Sequence, residues 1–226
     1  MKKRRRQSGF NETVDPLKGL GGRPGGLSLV ELLVALGIGL AIVVAMYNVF
    51  TLQNKTFAHQ EQVVEMQQNV RAAMDMMSRE VRMAGYDPCG LNTDADPHNN
   101  FFGITVDGAQ LQIKADLNGR TPLGNDCQAP YRGIDASSQE NVIYAYDAAN
   151  KKITRAIGAG AQSFAENVAG FSFAYLDAGG NVTASSTAVR QIRLTITGRT
   201  AKPDPAYAAN GGYRTYTLTS LIAMRN

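Results

Sequence analysis

Between Leu27 and Leu52 the chain runs for 26 residues with a single charge, Glu31. About 20 apolar residues span a bilayer as a helix, so this stretch is long enough to cross one. A helix that is apolar on every side has to be covered all round, by lipid or by protein. Its few polar members are Ser28, Asn48 and Thr51. An ordinary cleaved secretory signal has an apolar core of only about 7–15 residues and ends at a small-residue site. An ordinary signal anchor fits hydropathy equally well.

The flanks of the run give it direction. Residues 1–26 hold seven basic groups, five of them consecutive from Lys2 to Arg6 (Lys2, Lys3, Arg4, Arg5, Arg6), against Glu12 and Asp15, and end in Gly-Gly-Arg-Pro-Gly-Gly. They show neither helical nor strand period and have the character of a leader. The other 200 residues carry 16 basic and 17 acidic groups, so the chain's basic pI belongs to the leader. A nucleic-acid partner would need a basic stripe on the folded domain, and nucleic acid is not expected. Positive charge gathers on the cytoplasmic side of a span. The N-terminus is therefore expected inside and the rest outside, with the inner membrane between.

The helical signal continues past the run. Val63, Met66, Val70, Ala73, Met77, Val81 and Ala84 recur at steps of 3 and 4, the spacing of one helical face. Glu65, Gln67, Gln68, Arg71, Asp75, Arg79 and Arg82 fall between them, and no proline occurs from Leu27 to Tyr86. Gly85 and Pro88 supply a stop. One helix over 27–84 would be about 87 Å long at 1.5 Å per residue. The methionines (Met66, Met74, Met76, Met77, Met83) read as core filler.

Beyond Gly85 the pattern turns to hairpins. Phe101–Val106 and Ala109–Lys114 flank Asp107-Gly108, a two-residue hairpin signal. Asn141–Asp147 and Lys151–Ile157 flank a second turn. Val168–Asp177 is expected to turn at Gly179-Gly180-Asn181 into Val182–Ser186. Val189–Gly198 points Ile192, Leu194 and Ile196 inward, and Tyr213–Met224 ends the chain. The expected fold is α+β: a long N-terminal helix, its second half packed on an antiparallel β-sheet head. The expected divisions are a leader at 1–26, a transmembrane or filament-core helix at 27–52, an amphipathic continuation at 53–84 and a β-rich head at 85–226.

Glu31 is the most informative residue. A lone carboxylate at bilayer depth costs several kcal/mol, and the run holds no Lys, Arg or His to pair with it. The amine freed by cleavage before Leu27 could answer it, best from a neighbouring chain in a staggered stack of parallel helices. The segment Gly26-Leu27-Ser28-Leu29-Val30-Glu31 resembles the signal of type IV pilins and pseudopilins. That resemblance implies that prepilin peptidase cuts after Gly26 and methylates Leu27, and that Glu31 docks the subunit. Leu27 stands where Phe is usual and Ser28 where Thr is usual, both mild departures. Gly9-Phe10 is a decoy, because no apolar run follows and the fifth residue is Val14.

Looser motifs extend the likeness. The helix end Arg79-Glu80-Val81-Arg82-Met83-Ala84-Gly85-Tyr86-Asp87-Pro88, the pair Val142-Ile143-Tyr144-Ala145-Tyr146 and Ile153-Thr154-Arg155, and Glu166-Asn167-Val168-Ala169-Gly170-Phe171 resemble PilW-type minor pilins and the J-type pseudopilins of type II secretion. So do Val189-Arg190-Gln191-Ile192-Arg193-Leu194 and Met224-Arg225-Asn226. What this implies is a minor pilin that primes pilus assembly near the tip, with a pseudopilin of a type II secretion system as the close alternative. Its partners would be other minor pilins, the major pilin and a tip adhesin.

Other residues are weighed more plainly. Cys89 and Cys127 are a candidate disulfide, which would close a loop of 37 intervening residues and contribute about 2–4 kcal/mol. Asp94, Asp96, His98, Asn99 and Asn100 match neither an EF-hand nor a zinc pattern and read as a solvated loop. His59 is expected to be exposed. Gly37 and Gly39 permit close helix packing or local bending, or are neutral. No cofactor is expected. A membrane-anchored enzyme would need a nucleophile–base or metal set, and the sequence offers none that is recognisable. A head that binds a surface, a sugar or an adhesin is compatible with a filament subunit.

Overall fold

The computed structural model describes residues 26, 28–88, 101–117, 134, 139–158 and 160–225. Two compact units divide the chain, residues 1–53 and 54–226. The long helix α1 spans Leu29–Met83 and contributes to both. In the first unit it is apolar apart from a few polar residues, and none of its described side chains is buried.

In the second unit α1 buries the stripe that its periodicity predicts. Met66, Val70, Ala73, Met77 and Val81 are buried, as is Ala84 just past the helix end, and Met74 joins them. Val63 is half-buried, while Met76 and Met83 are exposed. The methionine set thus splits between core and surface by helical phase. Gly85 ends the helix with φ +76°, the left-handed cap that glycine adopts without penalty, and Tyr86 N–H bonds to Met83 O at 2.9 Å.

Two antiparallel sheets, rather than the single one expected, pack on this stripe. The first has five strands in chain order: β1 (Ile104–Thr105), β2 (Gln110–Lys114), β3 (Asn141–Asp147), β4 (Lys152–Ile157) and β5 (Gly160–Ala165). The second has three: β6 (Val168–Leu176), β7 (Gln191–Arg199) and β8 (Thr215–Ala223). Leu111, Ile113, Val142, Tyr144 and Ile153 of the first meet Ile192, Leu194, Ile196 and Ile222 of the second in one core with α1. β5 escapes sequence reading because Gly160, Ala161, Gln162 and Ser163 are all exposed, so no alternation marks it.

Two expected hairpins are remade by side chains. The two-residue turn at Asp107-Gly108 does not form, and β1 shrinks to two residues paired as Ile104↔Ile113 and Thr105↔Gln112. The Tyr175 hydroxyl enters the loop instead, 3.1 Å from Asp107 O and 3.2 Å from Gln110 O, and accepts the Asp107 N–H at 3.4 Å. The Val182–Ser186 strand is reduced to a bridge between Leu176 and Val182. There Asp177 Oδ1 accepts from Gly179 N at 2.8 Å and Asn181 N at 2.9 Å, and Thr183 Oγ1 accepts from Ser185 N. Such local bonds compete with a ladder.

Gly103 fixes the first sheet to the end of α1. A Cβ there would collide with Gly85 N and stand 2.6 Å from Ala84 C. Gly85 N–H donates to Lys114 O and Lys114 N–H to Gly103 O, both at 2.8 Å. Because main chain rather than a mobile side chain is in the way, Gly103→Ala is expected to cost about 1–3 kcal/mol. Urea denaturation of the full chain in micelles, followed by tyrosine fluorescence, measures this as a lowered midpoint.

Candidate functional site

Gly26 is exposed. Leu27 lies outside the described residues, as do the leader 1–25, Asp94, Asp96, His98, Cys89 and Cys127. The first turn of α1 forms where Leu32 N–H bonds to Ser28 O at 3.1 Å. Glu31 lies in that turn, where a carboxylate meets the positive end of the helix dipole. It is exposed, and among the described residues no basic group pairs with it. Around it Leu29, Val30, Leu32, Leu33, Val34 and Leu36 are each more than half exposed. The mean hydropathy of the best 18-residue window is 2.7. This surface can enter a membrane or pack against other apolar helices. Gly37 and Gly39 would place a Cβ in open space, so among the described residues nothing requires glycine at either position.

The head is tied to α1 by two polar clusters that sequence reading missed. Tyr144 and Arg155 are register partners on β3 and β4, so their side chains share a face. Glu80 of α1 lies over them. Its Oε1 accepts from Arg155 Nη2 at 2.6 Å and Nε at 3.2 Å, and its Oε2 accepts from Tyr144 at 2.6 Å. The ion pair is largely buried, with the two side chains 14% and 12% exposed. Burial, then the hydrogen bond to the Glu80 carboxylate, push the Tyr144 phenol far above its ordinary value. Burial works against the charged form of Arg155, but Glu80 outweighs it and holds the guanidinium above its usual value.

The second cluster gathers on Asp204. Arg214 Nη2 donates to Asp204 Oδ2 at 2.9 Å, and Ala206 N–H to Oδ1 at 2.9 Å. His59 of α1 is 3.6 Å away and half-buried, not exposed as its polar surroundings suggest. Arg214 first, then the Ala206 N–H, hold the Asp204 carboxyl below the usual carboxylate range. A group with a depressed folded pKa stabilises above its unfolded value, here about 3.9, and that stabilisation is lost as pH falls through the folded value. Asp204→Asn is therefore expected to flatten the loss of stability below about pH 4. Denaturation midpoints collected from pH 6 to pH 2 show this as a shallower acid limb.

Neither cluster is arranged for chemistry. Both are satisfied ties between α1 and the head, and among the described residues no group of three or more His, Cys, Asp or Glu could hold a metal. The apolar N-terminal half of α1 and its one carboxylate are exposed and take no part in either cluster.

Comparison with known proteins bears on this arrangement. No curated protein matches the chain. Among solved structures, a type IV-like pilin from Thermus thermophilus aligns with a TM-score of 0.38 and 11% identity, over 70% of this chain and 94% of that one. The family model described as prepilin peptidase-dependent protein B matches residues 59–219. That match takes in most of the amphipathic half of α1 and nearly all of the head, well over half of the sequence, and the chain belongs to this family of prepilin peptidase-dependent proteins.

Proposed function

We propose that the chain is a minor pilin of PilW type, a structural subunit that takes part in priming a type IV pilus near its tip. Prepilin peptidase removes residues 1–26 by cutting after Gly26, and the new N-terminal Leu27 is methylated. Before assembly the helix over 27–52 crosses the inner membrane once, with the N-terminus cytoplasmic and the head periplasmic. On assembly Glu31 pairs with the N-terminal amine of a neighbouring subunit, and the apolar helices pack side by side.

One observation supports this reading: a carboxylate five residues after Gly26, with no basic partner among the described residues, on a helix whose N-terminal apolar stretch is exposed. An amine on an adjacent chain removes the cost of burying that charge, so the residue that penalises insertion becomes the one that selects a partner.

The test is co-purification. The detergent-solubilised protein is expected to bring down other pilin-like subunits encoded beside it, and a deletion strain is expected to lose surface pili. Loss of secreted enzymes with pili intact would reassign it to a type II secretion pseudopilus. A lone monomer with no pilin-like companion would refute both.

A further inference from the structure

We infer that the outer edge of β8 is a docking site for an extended, acidic segment of another polypeptide, which adds to the three-stranded sheet as a fourth strand. β8 is the last strand of its sheet, and among the described residues no strand pairs with its far side. Its register with β7, such as Ile192↔Ile222, continues beyond both ends. Met224 N–H bonds to Arg190 O at 3.0 Å, and Thr200 N–H to Arg214 O at 2.9 Å. Bonded and non-bonded pairs alternate along an antiparallel ladder. Tyr216, Leu218, Ser220 and Ile222 therefore direct their main-chain groups to β7. Thr217, Thr219 and Leu221 direct theirs outward, where no hydrogen bond among the described residues engages them.

The same parity locates α1. Arg225 N–H also points outward, and it reaches Arg82 O at 3.4 Å, so the end of the helix flanks this edge. Toward the middle of β8 the two separate around a cleft of about 460 Å³. Leu218, Thr219 and Ser220 all border it. Three consecutive residues of a strand point to alternate faces, so a cleft that touches all three follows the strand's edge. Asp75, Ser78, Arg79 and Arg82 form the helical wall. Among the described residues neither arginine makes an ion pair.

An edge of this kind is normally blunted by charge, proline or a bulge. β8 reads Thr-Tyr-Thr-Leu-Thr-Ser-Leu-Ile-Ala, nine residues with no charge and no proline, and Leu221 is 58% exposed. The two arginines select the occupant. Main-chain pairing with Thr217, Thr219 and Leu221 supplies affinity, and a carboxylate on the added strand meets the forked donors of Arg79 and Arg82. Asp75, on the same wall, repels a carboxylate and so sets the acidic residue toward the Arg82 end. This site does not depend on how the N-terminus is processed.

The experiment uses the full chain in detergent micelles and a fluorescein-labelled peptide of alternating valine and glutamate, with a valine–lysine peptide as the counterpart. The acidic peptide is expected to bind, with at least about tenfold preference over the basic one. Arg79→Glu with Arg82→Glu is expected to abolish that preference. Thr219→Pro removes an N–H that β7 does not use, which an edge strand tolerates, and is expected to weaken binding by about tenfold or more. Hydrogen exchange on the unsubstituted chain decides the matter if Thr219→Pro fails to fold. The Thr217, Thr219 and Leu221 amides should exchange freely alone and become protected with the peptide. Equal binding of both peptides, no binding of either, or amides protected before peptide is added would overturn the proposal.

Discussion

Glu31→Val is expected to yield a protein that is cut normally and inserted in the membrane but falls at least about tenfold in filaments. The factor follows from the setting: tenfold in docking needs only about 1.4 kcal/mol, and an ion pair shielded from water between apolar helices exceeds that readily. The substitution makes the helix more apolar, so poor membrane insertion could not explain the loss. Gly26→Phe separates the preceding step. The small residue before the scissile bond is replaced by one of large volume, and the product is expected to remain an uncut precursor in the membrane. Immunoblots of membrane and sheared-pilus fractions read both. Normal piliation with Glu31→Val would remove the docking role, and a Gly26→Phe product that still begins at Leu27 would remove the cleavage assignment.

Glu80→Ala is expected to destabilise the head by about 3–5 kcal/mol, the cost of leaving one member of a buried pair without its partner. Arg155 would keep its charge with no carboxylate, and the Tyr144 hydroxyl would lose its acceptor at 2.6 Å. Removing both charges at once should cost far less, because an apolar substitute for a buried pair is often neutral. Glu80→Leu combined with Arg155→Met is thus expected to recover most of the loss. Urea denaturation of each full chain in micelles, followed by circular dichroism, supplies the comparison. A Glu80→Ala midpoint equal to the parent's would show that the cluster adds nothing to stability.

The parts of this molecule that follow a period are legible in its sequence. Met66, Val70, Ala73, Met77 and Val81 recur at helical spacing and are buried together. Ile192, Leu194 and Ile196 alternate and are buried likewise. Asn141–Asp147 coincides with β3, and β4 starts one residue later than expected because Lys151 adopts φ +52° within the turn. What failed depended on residues far apart in the chain. The Tyr175 hydroxyl opens a turn 68 residues away, and no local signal at Asp107-Gly108 announces it. Glu80 borders the buried stripe and looks like any solvated helical carboxylate until β3 and β4 bring Tyr144 and Arg155 beneath it. His59 is drawn to Asp204 in the same way. The division into two sheets was equally hidden, since alternation fixes which residues face inward but not which strands are neighbours. The proposed processing signal is different, being a contiguous stretch that is read from its resemblance to the signal of type IV pilins.

Intact-mass measurement of the protein recovered from sheared filaments tests the central claim most directly. The mass expected is that of a chain beginning at Leu27 with one added methyl group. A mass that retains residues 1–26, or absence of the protein from filaments that otherwise assemble normally, would contradict it.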